Sequence, residues 1–322
     1  MGQDQQLHSG HLQTLKIYHE RRGDWDCRRE TTVSVMRYMA RTKELVLPVV
    51  NNKPDTDRGS IFFVGTATVI LRYAGFTILT DPNFLHRGEQ AHLGYGVRTM
   101  RRTDPAIEID ELPPLDLIVL SHMHEDHFDR VVAQKLDKTL PIVTTGQAAK
   151  VLKKKGFSST YALKTWQTFT ITKGKAVLRI SSMPARHAPA PLGKLLPPVM
   201  GSMLEFQVPE GQTRMRLYIT GDTLLYDRLK EIPQRYPEID LALIHLGGTH
   251  IFGVMVTMDG KQGAEAIRLI APRMAIPIHI NDYTAFKSPL EDFVKAVKAA
   301  RLEKQVKYVA PGETYTFKVP KR

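Results

Sequence analysis

The residues whose types are best suited to chemistry form one short cluster of histidine and aspartate side chains that follows an apolar run. Residues 115–120 read LDLIVL, and residues 121–127 read SHMHEDH. Residues two apart in an extended segment face the same side, so His122 and His124 can bind one ion. Asp126 and His127, farther round the turn, can face a second ion. The segment therefore predicts two adjacent metal positions at the end of a buried strand.

The pattern H-x-H-x-D-H resembles the metal-binding motif of the metallo-β-lactamase fold superfamily. The resemblance implies four further positions in chain order, and this sequence matches them with Asp81 in ILTDP, His187 in PARHAP, Asp222 in YITGDT and His279 in IPIHIND. Taken singly, each of these residues has a plainer explanation as a turn, loop or core residue. Their joint occurrence at strand ends, in the family order, favours a shared site.

By this resemblance the ligands divide into two sets joined by one bridging carboxylate. The first ion is expected on His122, His124 and His187, the second on Asp126, His127 and His279, with Asp222 between them. Asp81 is expected to orient a ligand histidine through its ring N–H without touching metal. Asp126 and Asp222 would position a hydroxide shared by the ions. Two divalent ions, two carboxylates and one hydroxide leave a formal charge of about +1, which favours a substrate that becomes anionic.

The ligand types also bear on which metal binds and which chemistry follows. Histidine and carboxylate ligands without cysteine suit zinc, and they also suit manganese or iron. A shared water between two such ions would ionise near neutral pH, so hydrolysis needs no nucleophilic side chain. Diiron redox enzymes of the same fold usually carry glutamate at the second histidine of the motif. His124 occupies that position here, which favours hydrolysis.

Secondary motifs are most similar to those of the branch containing L-ascorbate-6-phosphate lactonase and the N-acyl-phosphatidylethanolamine phospholipase D. They are the segments 65–68, 200–201, 221–223, 247–248, 256–259 and 264–266. Residues 250–255, the basic segment 86–102 and the N-terminal extension have no counterpart in that pattern. The resemblance implies an enzyme, a metal-dependent hydrolase acting on an ester-like bond (lactone, carboxylic ester or phosphodiester).

Candidate substrate contacts come from two places in the sequence: a long segment of low periodicity, residues 84–114, and residues near the metal-site segments, His250 and Tyr283. We expect a small or medium-sized anionic substrate, with contacts from Arg98, Arg101, His250 and Tyr283. Two alternatives stay open. One is a metal-dependent nuclease of the same superfamily, which the net charge of +12 supports; the sequence shows no clamp domain, basic arm or aromatic platform for single strands. The other is a metal-bound binding protein without turnover.

Composition restricts the class of protein. The chain has 322 residues, of which 42% are hydrophobic and 24% charged, as in ordinary globular proteins. The only cysteine, Cys27, excludes an intramolecular disulfide. The first residues show no apolar leader, and no apolar run reaches the length of a membrane span. We therefore expect a cytoplasmic protein without an integral membrane segment; a homo-oligomer is left open.

The elements that must position these residues indicate an α/β fold. Short β-rich runs begin near residue 61, and helical patterns alternate with strands farther along the chain. The superfamily resemblance implies a four-layer αββα sandwich over residues 59–322. Residues 1–58 carry short helical patterns, such as residues 31–45, and are expected to form an N-terminal helical extension packed on the main domain. Ser288, Pro289 and Glu291 predict the start of a final helix, with Ser288 as its N-cap.

Overall fold

The computed structural model describes residues 43–48, 55–94, 96–207 and 212–320. Most of the extension predicted over residues 1–58 lies outside these ranges. Its described part includes the strand Lys43–Leu47, so the helical interpretation of residues 31–45 is wrong at its carboxyl end. No helix in the described part of the chain is long and apolar enough to cross a membrane.

The described chain contains eighteen strands and five α-helices. The strands are β1 (Lys43–Leu47), β2 (Arg58–Gly65), β3 (Thr68–Tyr73), β4 (Phe76–Thr80), β5 (Gln90–His92), β6 (Arg98–Met100), β7 (Leu117–Val119), β8 (Ile142–Thr145), β9 (Thr160–Leu163), β10 (Thr168–Lys173), β11 (Ala176–Met183), β12 (Gly201–Gln207), β13 (Thr213–Ile219), β14 (Leu241–His245), β15 (His250–Ile251), β16 (Val254–Met255), β17 (Met274–Ile278) and β18 (Thr314–Lys318). The helices are α1 (Arg130–Lys135), α2 (Gly146–Lys154), α3 (Glu231–Arg235), α4 (Gly260–Ile270) and α5 (Leu290–Ala300).

Fourteen of the strands form two seven-stranded mixed sheets. One sheet has the order β18-β2-β3-β4-β7-β8-β9, and the other has the order β1-β10-β11-β12-β13-β14-β17. Two small hairpins, β5-β6 and β15-β16, stand apart from them. The first hairpin lies inside the predicted segment 84–114, which is therefore partly ordered as strands.

Alternation along the strands produces the layers. On β7, Leu117 and Val119 enter the core between the two sheets, whereas Ile118 faces the opposite side. On β14, Leu243 enters the same central core, whereas Ile244 packs with residues of α4 and α5. Because successive strand residues point to opposite faces, each sheet presents one apolar face to the other sheet and one to helices. The predicted four-layer αββα sandwich, the metallo-β-lactamase fold, is confirmed.

One helix start differs from the prediction. The residue before α5 is Pro289, and no side chain caps this helix. The hydroxyl of Ser288 instead accepts the backbone N–H of Gly260 at 3.0 Å, at the start of α4. Ser288 was wrongly assigned as the N-cap of α5, because the capping motif in the sequence does not reveal that a neighbouring helix competes for the hydroxyl.

Parallel pairing brings several strand ends to one edge. In one sheet β4 pairs with β7 in parallel, and in the other β13, β14 and β17 are successive parallel neighbours. The carboxyl ends of parallel strands meet at the same edge of a sheet. Asp81 and Thr220 directly follow β4 and β13, and Ser121 is the second residue after β7. His245 is the last residue of β14, and His279 directly follows β17.

Candidate metal centre

Three histidine side chains from the segments that follow β7 and β11 lie close together. The Nε2 atom of His122 lies 2.9 Å from Nδ1 of His124, and Nε2 of His187 lies 3.3 Å from that same Nδ1 atom. All three residues are buried, with at most 5% of their surface exposed. The three ring nitrogens are therefore close enough to bind one ion.

A second set of nitrogen and oxygen atoms lies beside the first. His279 Nε2 is 3.5 Å from Asp126 Oδ2, and His127 Nε2 is 3.9 Å from that oxygen. Asp222 joins both sets: its Oδ2 atom lies 3.4 Å from His127 Nε2, its Oδ1 atom lies 3.7 Å from His279 Nε2, and it also groups with His122 and His127. The geometry thus offers two adjacent positions with one carboxylate between them.

Local turns aim these side chains inward. Behind β7, the backbone N–H groups of His127 and Phe128 both donate to the carbonyl of His124, at 3.1 and 2.8 Å, so the motif closes into a tight turn. The Asp129 side chain then accepts the N–H of Val132 at 2.9 Å and starts α1. The motif is thereby held between a strand end and a helix start.

The turn that carries Asp222 requires a glycine. Gly221 has φ +61°, and a Cβ atom there would lie 2.7 Å from the carbonyl oxygen of Met200. A larger residue would meet both a left-handed backbone and a steric clash. Thr257 donates its hydroxyl hydrogen to Asp222 Oδ2 at 3.1 Å, so the carboxylate is oriented by a side chain that the sequence interpretation did not include.

Hydrogen bonds to backbone carbonyls set the ring orientation of two histidines. The Nδ1 atom of His187 lies 2.8 Å from the carbonyl oxygen of Val256, and Nδ1 of His279 lies 2.9 Å from that of Leu246. A carbonyl can only accept, so Nδ1 carries the hydrogen in both rings. In the neutral form of each ring the Nε2 atom therefore carries the lone pair, as metal ligation requires.

Four polar atoms around the second position make no hydrogen bond within the described residues, and the two ring nitrogens among them face carboxylates of the same site at 3.4–3.9 Å. They are His127 Nε2, His279 Nε2, Asp126 Oδ1 and Asp222 Oδ1, and all are buried. Buried polar atoms are nearly always paired, because leaving one unpaired costs about 1–3 kcal/mol. The residues that carry these atoms belong to two adjacent groups, one of His122, His127 and Asp222 and the other of Asp126, His127 and His279. Within each group one ligand atom per residue lies within 4.8 Å of the others, so the residues fit a metal.

The electrostatics of the site also suit cations. Burial lowers the pKa of His122, His124 and His187, with that of His124 at about 3, and keeps these rings neutral with free lone pairs. Burial alone would raise the pKa of Asp222, but the nearby His279 and His127 side chains hold it well below its usual range. The first set therefore combines neutral imidazoles with an ionised carboxylate. In the second set burial alone would lower the pKa of His127 and His279, but the nearby carboxylates, Asp222 foremost, raise it, so these two rings release a proton when they bind a metal.

Asp81 lies behind the second set of atoms. Its Oδ1 atom accepts the N–H of Ser121 at 2.6 Å, and its Oδ2 atom lies 3.1 Å from His127 Nδ1 and 3.3 Å from His245 Nε2. Burial opposes ionisation, but the His127 charge and the hydrogen bonds from both rings lower the pKa of Asp81 to about 2. Because His127 Nε2 faces Asp222, Asp81 contacts the opposite side of that ring.

The sequence interpretation missed His245. This residue is fully buried at the end of β14 and shares the Asp81 carboxylate with His127. Its signal was present in the sequence, because the apolar run of residues 241–244 ends directly on a histidine, just as other strands end on site residues. It was overlooked because the superfamily pattern requires no ligand there.

The four candidate substrate contacts fall into two environments. Arg101 and Tyr283 are enclosed, with 1% and 0% of their surface exposed. Tyr283 donates its hydroxyl hydrogen to Asn83 Oδ1 at 3.0 Å, Arg101 donates to the same oxygen, and its guanidinium lies 5.3 Å from the centre of the Tyr283 ring. Arg98 and His250 have exposed side chains.

Asn83 connects the enclosed pair to the metal-binding motif. Its Nδ2 atom donates to the carbonyl oxygen of Glu125 at 2.8 Å and lies 3.2 Å from Asp129 Oδ2. The Arg101 side chain thus supports, through Asn83, the backbone that carries Asp126. The structure places this arginine in an internal scaffold, away from the open surface that Arg98 and His250 occupy.

Known proteins share both the sequence pattern and the fold. A UPF0173 metal-dependent hydrolase of Archaeoglobus fulgidus is 27% identical over 207 residues, which cover 63% of this chain and 82% of the relative. The isothiocyanate hydrolase from Delia radicum gut bacteria superposes with a TM-score of 0.68 at 20% identity, over 80% of this chain and 99% of that protein.

A redox enzyme shares the architecture as well. The diiron β-hydroxylase of Streptomyces venezuelae superposes with a TM-score of 0.57 at 14% identity, over 82% of this chain and 54% of that protein. At such identities the superpositions establish the fold alone, so the reaction must be argued from the site.

A family model gives the assignment of the chain itself. The model described as the beta-lactamase superfamily domain matches residues 77–280, more than half of the chain, from β4 to the end of β17. This span contains all seven side chains of the two groups and Asp81. The chain therefore belongs to the beta-lactamase superfamily domain family.

Proposed function

We propose that the protein is a metal-dependent hydrolase that binds two divalent ions and cleaves an ester-like bond in a small or medium-sized anionic substrate. The observation that carries the proposal is the convergence of seven buried side chains into two adjacent donor groups that share Asp222. Zinc is the first candidate metal, with manganese and iron as alternatives. The hydrolase relative from Archaeoglobus fulgidus supports the same class of activity.

The roles of the residues follow from their contacts. His122, His124 and His187 would hold one ion, and Asp126, His127 and His279 the other, with Asp222 holding both. Divalent ions bound there would supply an activated water at neutral pH and polarise the substrate carbonyl or phosphoryl oxygen. Thr257 orients Asp222 at 3.1 Å, and Val256 orients His187 at 2.8 Å. Position 124 carries histidine, the ligand type that favours hydrolysis over diiron redox chemistry.

The finer assignment of substrate rests on charge and on the resemblance to the lactonase and phospholipase D branch. The formal surplus of about +1 at the site favours an anionic group next to the scissile bond. Arg98 and His250, which are exposed, are the proposed substrate contacts. For Arg101 and Tyr283, which are buried, we propose support of the site through Asn83 as their main contribution.

Two measurements test this proposal. Elemental analysis of protein purified without added metal should find two ions per chain. The control variant Asp116→Asn, at a half-buried residue directly before β7, should keep both ions. Hydrolysis should then be assayed with carboxylic esters, lactones and phosphodiesters, each as an anionic and a neutral compound of similar size. Two bound ions with no turnover of any compound would favour a binding protein without catalysis.

A further inference from the structure

The side chain of His245 is enclosed between two polar partners. Its Nε2 atom lies 3.3 Å from Asp81 Oδ2, and its Nδ1 atom lies 3.2 Å from Thr220 Oγ1. The residue is 0% exposed, and its ring lies parallel to that of His127, with 5.9 Å between centroids and an interplanar angle of 12°. A buried imidazole with a partner at each nitrogen has one defined orientation.

The hydrogen-bond pattern sets the tautomer. Thr220 Oγ1 accepts the backbone N–H of His245 at 2.9 Å, so its own hydroxyl hydrogen is free to point at Nδ1 of the ring. The remaining ring hydrogen then resides on Nε2 and is donated to Asp81. Asp81 Oδ2 thus accepts two ring N–H groups, one from His245 and one from His127, while its other oxygen accepts the N–H of Ser121.

The backbone of Asp81 is unusual as well, and two hydrogen bonds hold it: its N–H donates to the Val119 carbonyl at 3.1 Å, and its carbonyl accepts the Thr68 hydroxyl at 2.7 Å. Its φ is +33°, a left-handed conformation that costs of order 1–3 kcal/mol outside glycine. Such a residue keeps one conformation only where its surroundings hold it. Ser121 contacts only the Oδ1 atom of Asp81. Without His245, the orientation of Oδ2 would therefore depend on His127, the ring that Asp81 has to orient.

We propose that His245 is a positioning residue of the metal centre, which holds Asp81 so that its carboxylate fixes the ring of His127 for ligation. This inference rests on the proposed function, because it takes His127 as a ligand of the second ion. Its effect is on metal affinity. Outer partners of ligand histidines typically change metal affinity 10–100-fold, and His245 acts one residue farther out, so we expect a loss of about 10-fold, at the lower end of that range.

Asp81, His127 and His245 also lie close enough together to suggest a third ion. The geometry favours the positioning role, because His127 Nδ1 faces Asp81 while its Nε2 faces Asp222. An ion between Asp81 and the two rings would have to replace the hydrogens that both rings donate. A third bound ion per wild-type chain, absent from variants at His245, would overturn the inference.

The experiment compares two replacements of similar size. The amide of His245→Gln can still donate to Asp81, whereas the thioether of His245→Met cannot. Metal dissociation constants are measured by competition with a chelator, and the absorption spectrum of the cobalt-loaded protein reports ligand geometry. Thr220→Val removes the hydroxyl donor to Nδ1 and leaves the ring in place. Thr144→Val, at a buried hydroxyl without a hydrogen-bond partner in the described part of the chain, is the matched control.

We expect His245→Met to weaken the binding of the ion held by His127 about 10-fold, His245→Gln to recover most of that loss, and Thr220→Val to fall between them. The cobalt spectrum should change in His245→Met and stay unchanged in Thr144→Val. Equal losses in the Gln and Met variants, matched by equal losses in the unfolding temperature of the metal-free protein, would reduce His245 to a structural residue. Unaltered affinity in His245→Met would overturn the proposal. These measurements use no substrate, so their result stays interpretable even if the protein is shown not to be a hydrolase.

Discussion

Replacing Asp81 by asparagine changes one atom of a buried carboxylate and leaves its volume nearly unchanged. In the wild type Oδ1 faces the N–H of Ser121 at 2.6 Å, and Oδ2 faces the rings of His127 and His245 at 3.1 and 3.3 Å. Both oxygens face donors, so the asparagine amide nitrogen meets an N–H group in either orientation. The substitution therefore removes at least one hydrogen bond and places the amide N–H of asparagine against another N–H donor. It does this without creating a cavity.

The magnitude follows from the environment of the carboxylate. Lowering the Asp81 pKa from 3.8 to about 2 corresponds to roughly 2 kcal/mol in favour of the ionised form. Loss of an outer partner of a ligand histidine weakens metal binding by about 10–100-fold, or about 1.4–2.8 kcal/mol. The two figures agree in order of magnitude. We therefore expect Asp81→Asn to weaken the binding of the ion held by His127 by about 10–100-fold.

The assay is titration of metal-free protein with zinc against a competing chelator, which resolves the two ions by affinity. Asp116→Asn is the control, because Asp116 pairs with Lys173 at 2.7 Å at the opposite end of β7. The control should lose stability without losing metal affinity. Wild-type affinity for both ions in Asp81→Asn would refute the reasoning, and so would direct metal ligation by Asp81 in a crystal structure of the loaded protein.

The other predictions concern the bridge, the arginines and pH. Asp222→Ala should lower the occupancy of both ions and the rate of hydrolysis, and full activity with two ions bound would refute the bridging role. Arg101→Met should lower the unfolding free energy by about 2 kcal/mol or more by denaturant titration, because it removes the partner of Asn83, whereas Arg98→Ala should leave stability unchanged and raise the KM for anionic substrates only. Asp81 has a depressed pKa, so its contribution to the stability of the metal-free protein is present above about pH 4 and lost toward pH 2. Denaturant titrations at these two pH values should show a smaller decrease in Asp81→Asn than in the wild type.

Much of the architecture was predictable from local patterns. Short continuous apolar runs mark β7 and β14, and the H-x-H-x-D-H motif begins at His122, three residues after the first of these strands. Such features depend on neighbouring residues, whose side chains alternate between faces regardless of the rest of the fold. The superfamily resemblance added positions far apart in the chain, and the four-layer sandwich that it implied is confirmed.

Two features were decided only by tertiary structure. His245 lies 164 residues from Asp81 in the chain, and the two meet because strands of separate sheets end at one edge. Arg101 was predicted as a substrate contact from its type and its basic surroundings, yet it is 1% exposed and bonded to Asn83. Residue type determines what a side chain can bind. Which partners it contacts, and whether solvent or substrate can reach it, depends on sheet pairing and on the packing of loops, because both bring together residues that are far apart in the sequence.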